Sequence, residues 1–200
     1  MASFDDREKL KRILIKRSVR TGEFKLVSGR TSSVYVDGKL TTLAAEALPL
    51  IGRLFLDKME EKDWRPEAIG GLSLGADPIV IAVARQSLER GPAIDAFLVR
   101  KEAKKHGTQK FIEGLARTEK LNVVIVDDVC TTGGSTADAI VRAQEAGMRV
   151  LGAICLVDRE SGAREMLWNR FQCPFEWIFT LSELLRDANL ARPAGAEIAR

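Results

Sequence analysis

Two stretches of this chain gather the residue types that handle phosphorylated substrates. In the first, Val123-Val124-Ile125-Val126 runs into Asp127-Asp128-Val129-Cys130 and then Thr131-Thr132-Gly133-Gly134-Ser135-Thr136. Four apolar residues read as a buried strand. Two carboxylates then stand at its C-terminal end, where open α/β sheets place their ligands. The small residues that follow let backbone amides approach a ligand closely, and they open a helix whose N-terminus favours an anion. This order suits a phosphate held by loop amides and hydroxyls, with sugar hydroxyls on the acids. The alternative is a capped turn beside two solvated acids. No Lys follows the glycines and G-x-G-x-x-G is absent, which excludes a Walker loop and a dinucleotide fingerprint.

The second stretch is Arg100-Lys101-Glu102-Ala103-Lys104-Lys105-His106-Gly107. It sets four fixed cations and the chain's one histidine against a single acid. No convincing apolar face runs from Arg100 to Asn122, and a connection of that length is usually functional or disordered. Such a run is either a solvated basic loop or a lid over an anion. As a lid, its cations would stabilise charge growing on a leaving group.

The elements that position these residues follow from apolar periodicity. With 200 residues, 46% apolar and 30% charged, the chain suits one domain with a sizeable core. Strands are expected at Ala68–Leu72, Asp95–Val99, Val123–Asp127, Val150–Val157 and Phe175–Phe179. Helices are expected at Asp5–Val19, Leu43–Met59, Pro78–Leu88, Ser135–Ala146, Ala163–Asn169 and from Leu181, with two short β pieces at Phe24–Val27 and Val34–Val36. Continuous apolar strands alternating with helices indicate α/β architecture, a doubly wound parallel sheet covered on both faces. The tail after Asn189 is expected to fray. Apolar runs such as Ile79–Ala84 are far too short to span a membrane. The first residues, MASFDDREKLKR, lack the apolar region of a secretory signal. Cys130, Cys155 and Cys173 have no C-x-x-C spacing and suit a reducing, cytoplasmic compartment. A net charge of +3 is too small to argue for nucleic acid.

The acid pair with its Thr/Gly/Ser loop resembles the diphosphosugar signature of type I phosphoribosyltransferases. Phe24 to Asp37, FKLVSGRTSSVYVD, is similar to the N-terminal signature of the orotate phosphoribosyltransferases, and Arg100 to Gly107 to their mobile catalytic loop. Gly70 to Pro78 and Asp158-Arg159 also fit. The resemblance implies one phosphoribosyltransferase domain over 1–200, with a small N-terminal hood in about 1–40 and the α/β core in about 41–190. It implies transfer of a phosphoribosyl group from 5-phosphoribosyl 1-diphosphate to orotate, with Mg²⁺ carried mainly on substrate oxygens. The implied diphosphosugar contacts are Arg100, Lys101, Lys104 and His106, then Asp127, Asp128, Val129, Cys130, Thr131, Thr132, Gly133, Gly134 and Ser135. Lys101, Lys104, His106 and Asp128 take the catalytic roles, while Thr131 and Arg159 contact orotate. A two-fold homodimer with active sites shared across its interface is implied too. Two places depart: Val27 and the Leu74-Gly75-Ala76 segment lack lysines that many members carry. A salvage enzyme for a purine base, or a regulatory protein that keeps the pocket and binds nucleic acid, are the rival readings.

Overall fold

The computed structural model describes residues 4–25, 31–102 and 111–188. The N-terminal helix α1 (Phe4–Ser18) leads into a two-stranded antiparallel ribbon, β1 (Val19–Lys25) and β2 (Thr31–Val36). Then follow α2 (Lys39–Thr42), α3 (Leu48–Glu61), β3 (Ala68–Leu72), α4 (Asp77–Ser87), β4 (Asp95–Val99) and β5 (Ile112–Glu113). The second half runs β6 (Asn122–Cys130), α5 (Gly134–Glu145), β7 (Arg149–Asp158), α6 (Ala163–Phe171), β8 (Phe175–Thr180) and α7 (Leu181–Asp187). The main sheet has the order β5-β4-β3-β6-β7-β8, parallel throughout except for β5.

Two-residue alternation splits this sheet into two cores. Val124, Val126, Ile154 and Leu156 meet Leu10, Leu14, Ile51, Phe55, Ile79 and Val83 of α1, α3 and α4 on one face. Val123, Ile125, Ala153 and Cys155 meet Ile140, Ala143 and Leu167 of α5 and α6 on the other. Burial on both faces is why these strands read as unbroken apolar runs. The strand order reverses between β3 and β6, so a crevice opens beyond their carboxyl ends.

Four elements differ from the periodicity reading. The helix expected over Leu43–Met59 becomes α2, a link and α3, because Pro49 sits in the first turn of a new helix and Thr41 is drawn into a buried hydroxyl pair with Ser18 at 2.7 Å. β1 starts at Val19 rather than Phe24, since α1 passes straight into pairing with Val36. β6 continues to Cys130, so both acids lie inside a strand paired as far as Asp158. The two-residue β5 was not anticipated. It pairs Ile112 with Val99 and draws the Arg100 amide onto the Phe111 carbonyl at 2.9 Å, closing the base of the basic segment.

The ribbon is tied down from below. Val34 and Val36 pack with Leu185, Leu181 and Val129. An ionic clasp joins α1 to α7: Arg7 donates to both Glu183 oxygens at 2.7 and 2.8 Å, and Lys11 to Asp187 at 2.8 Å. Burial would raise the Glu183 carboxyl, but Arg7 and Lys11 hold it below its ordinary value. A carboxylate depressed in the folded state adds stability above its unfolded pKa, and that stability is lost as pH falls through the folded value. Arg7→Ala is therefore expected to destabilise the fold by about 1–3 kcal/mol at neutral pH. Thermal unfolding should show the gap to wild type narrowing below about pH 4.

Candidate active site

Asp127 and Asp128 end up nearly buried, only 8% and 7% exposed, at the reversal point of the sheet. One Asp127 oxygen accepts from the Asp128 amide at 3.0 Å and the other from the Thr136 hydroxyl at 3.3 Å. Burial, then the neighbouring Asp128 charge, pushes the Asp127 carboxyl up to about 7. Asp128 accepts from the Val129 amide at 2.9 Å through Oδ1, and its Oδ2 faces the Lys39 ammonium at 3.6 Å. Three glycines from other elements make this closeness possible. A Cβ on Gly75 would lie 2.5 Å from Asp128 Oδ1, and one on Gly38 would lie 2.8 Å from Oδ2. A Cβ on Gly71 would strike the Val126 carbonyl just before the pair.

The small-residue loop turns directly from these acids into α5. Thr131, Thr132, Gly134 and Ser135 are exposed, while Gly133 is buried as the N-cap in a left-handed conformation with φ 85°. It is the left-handed backbone there, which other residues adopt only with strain, that calls for glycine. The loop thus presents amides and hydroxyls at the N-terminus of a twelve-residue helix. Val129 is half-buried and packs on the ribbon's apolar cluster. Cys130 turns its thiol into the core, 3.7 Å from the Thr136 hydroxyl, and offers the site only its backbone, whose carbonyl accepts from the Arg159 amide at 2.9 Å.

Arg159 stands across the crevice at the end of β7, half-buried, with Nη2 donating to the Val34 carbonyl of the ribbon at 3.4 Å. Burial lowers its pKa, partly opposed by Tyr35. Arg100 lies at the root of the basic segment, paired with Glu113 at 3.2 Å, and Lys101 beside it is exposed. Phe111, where the segment returns, carries the Arg142 guanidinium 3.6 Å from its ring centre. Lys104 and His106 lie outside the described residues. The structure thus brings Asp127, Asp128, the 131–135 loop, Arg159 and Arg100 to one edge of the sheet.

Sequence reasoning missed two neighbours. Tyr35 stacks on Phe24 at 5.5 Å between ring centres and lies within the electrostatic reach of Arg159. Lys39 pairs with Asp128 across a large sequence separation. The signal available for both was their place in or just after the ribbon signature. Among the described residues no three His, Cys, Asp or Glu side chains converge as a metal cage. Two adjacent carboxylates offer hard oxygen donors, which could serve a cation held mainly by other oxygens. A cavity of about 800 Å³ opens at the other end of the sheet, among Trp64, Arg90, Ile94 and Leu121, and none of the residues above lines it.

Comparison with known proteins agrees with this geometry. Residues 42–182 match the phosphoribosyl transferase domain family. The orotate phosphoribosyltransferase of Aquifex aeolicus is 43% identical over 183 residues, which cover 90% of this chain and 98% of that protein. Its counterpart in Synechocystis is 40% identical over 178 residues, 89% of this chain and 88% of that one. Among solved structures, Mycobacterium tuberculosis orotate phosphoribosyltransferase in complex with 5-phospho-alpha-D-ribosyl 1-diphosphate gives a TM-score of 0.74 at 35% identity, covering 90% of this chain and 98% of that one. The Aeropyrum pernix enzyme gives 0.78 at 33% identity, covering 92% and 99%.

Proposed function

Since this chain belongs to the phosphoribosyltransferase family, among its orotate phosphoribosyltransferases, we propose how its site divides the work of the reaction. The enzyme moves the 5-phosphoribosyl group from 5-phosphoribosyl 1-diphosphate to orotate, giving orotidine 5′-phosphate and diphosphate. The bond from ribose C1 to the diphosphate oxygen breaks and diphosphate leaves with the electron pair, while an orotate ring nitrogen bonds to the opposite face of C1 and gives up its proton to solvent or to the departing diphosphate. The observation that carries the assignment is the acid pair held at the sheet's reversal point, with the Thr131–Ser135 loop on one side and Arg159 on the other.

Asp127 and Asp128 take the ribose hydroxyls, and amides and hydroxyls of the 131–135 loop take the 5′-phosphate. Val129 and Cys130 contribute through the backbone that shapes this loop. Arg159 pairs with the orotate carboxylate and Thr131 adds a hydroxyl, beneath a ribbon that places Tyr35 nearby. Arg100, Lys101, Lys104 and His106 meet the diphosphate, where negative charge grows as the C1 bond breaks. Mg²⁺, when bound, would neutralise part of the diphosphate charge. It would be held through diphosphate and ribose oxygens and water, which suits an acid pair without a cage.

We also place this enzyme in a homodimer whose sites are shared across the two-fold axis. Large apolar side chains exposed beside the site support that reading: Leu40 on α2, Leu43 after it, Leu74 after β3 and Ile81 on α4. Its substrates are small molecules, and no nucleic acid or membrane partner is invoked. Among the described residues no helix is long and apolar enough to cross a membrane, and three buried free thiols suit the cytoplasm.

The direct test is the fall in orotate absorbance when the purified protein meets the diphosphosugar and Mg²⁺. A second test addresses the base. Arg159→Ala is expected to weaken orotate by about 2–3 kcal/mol while leaving the KM of the diphosphosugar nearly unchanged. Equal weakening of both substrates would make the arginine structural. Competition by uracil in the variant would support the carboxylate assignment.

A further inference from the structure

We propose that Lys39 is a positioning residue for the diphosphosugar, acting as the counter-ion that holds Asp128 ready for an anionic ligand. The inference rests on the assignment of the acid pair to the ribose and goes beyond it by adding a cation that this assignment does not contain.

The lysine is held in place by its surroundings. The Asp37 amide donates to the Ser18 carbonyl at 3.0 Å, and the Lys39 amide donates to Asp37 Oδ1 at 3.2 Å. Two residues on, Thr41 shares a hydrogen bond with Ser18 in which both side chains are fully buried. Gly38 lies flat on Asp128, so close that a Cβ would stand 2.8 Å from Oδ2. The start of α2 therefore cannot drift away from the carboxylate, and Lys39 leaves the backbone beside it.

The ammonium lies 3.4 Å from Asp37 Oδ1 and 3.6 Å from Asp128 Oδ2, with its side chain half-exposed. Those separations attract without using up its three donors. Asp128 Oδ1 is already taken by the Val129 amide, which leaves Oδ2, the oxygen facing Lys39, to meet a sugar hydroxyl. A ligand bearing a diphosphate and a phosphate must settle against two acids. A fixed cation at one of them lowers that repulsion before the basic segment contributes anything. A lysine serving only its own turn would pair with Asp37 alone and leave the substrate unaffected.

The test uses the full chain, with orotate, 5-phosphoribosyl 1-diphosphate and Mg²⁺. Lys39→Met should raise the KM of the diphosphosugar by about tenfold and change kcat and the orotate KM by less than about threefold. Lys39→Arg, which keeps the charge, should bring the KM back to within about threefold of wild type. The deficit of the Met variant should shrink as salt rises, because a charge effect is screened. An unchanged KM in Lys39→Met, an equal loss for both substrates, or an Arg variant as poor as the Met one would each overturn the proposal. The parent protein provides the separate control. If wild type fails to bind the diphosphosugar in calorimetry, the assignment of the acid pair falls; if it binds and the Met variant binds equally well, only the role of Lys39 falls.

Discussion

Replacing Lys104 with alanine is expected to lower kcat by about 10²–10³-fold and to weaken ground-state binding of the diphosphosugar far less, if its charge serves the departing diphosphate. Rapid-quench turnover set against calorimetric binding measures the two effects separately. A raised KM at unchanged kcat would reduce Lys104 to a tether. The same variant tests the shared site. Lys104→Ala keeps a good pocket, and Asp128→Ala keeps a good basic segment. After subunit exchange, random two-fold pairing makes about half the dimers hybrids, each with one site that joins a good pocket to a good segment from the other subunit. Activity should recover to about one quarter of wild type, from one site in two on about half the dimers. Verified hybrids as inactive as their parents would show that each segment serves its own subunit.

The second large effect is a conflict between stability and activity at Asp127. Its folded pKa of about 7 lies above the unfolded value of about 3.9. Between those values the folded state binds more protons, so this group's contribution to stability falls as pH rises and is least favourable above about pH 7. Asp127→Asn keeps the shape and removes the ionisation. The variant is expected to be more stable than wild type at pH 8.5, with the difference shrinking as pH falls below about 7 toward the unfolded value. Denaturant unfolding at both pH values measures it. Turnover should drop by about 10²-fold or more if the carboxylate takes a ribose hydroxyl. Equal stability at pH 8.5 would mean that the Asp127 charge is not penalised by its burial.

Much of the core was legible because the sheet is covered on both faces. Ala68–Leu72 and Asp95–Val99 are found with the expected ends, since apolar runs bounded by polar or turn residues leave little choice of boundary. The turn from β6 into α5 was legible for the same reason, as an apolar run followed by acids and small residues. The continuation of β6 to Cys130 was not, because polar Asp127 and Asp128 read as the exit from the sheet. They stay inside it only because Gly38, Gly71 and Gly75, brought from distant parts of the chain, leave them space. Lys39 escaped notice for a related reason: its partner becomes its neighbour only when α2 folds against the end of β6. The two residues of β5 are too few to carry any period, and their pairing depends on the preceding strand alone.

The glycine socket around the acid pair also bears on how this enzyme can be altered. At Gly38, Gly71 and Gly75 even a methyl group meets a carboxylate or a backbone carbonyl that has nowhere to retreat. A single substitution at any of them should cost turnover outright, leaving no partly active intermediate for selection to improve. Directed evolution toward a new acceptor base must therefore proceed elsewhere. The ribbon around Tyr35, a residue 40% exposed, and the strand end that carries Arg159 are expected to accept change one residue at a time. Libraries confined to those two places should yield new base preferences, while libraries on the socket should return the parent sequence.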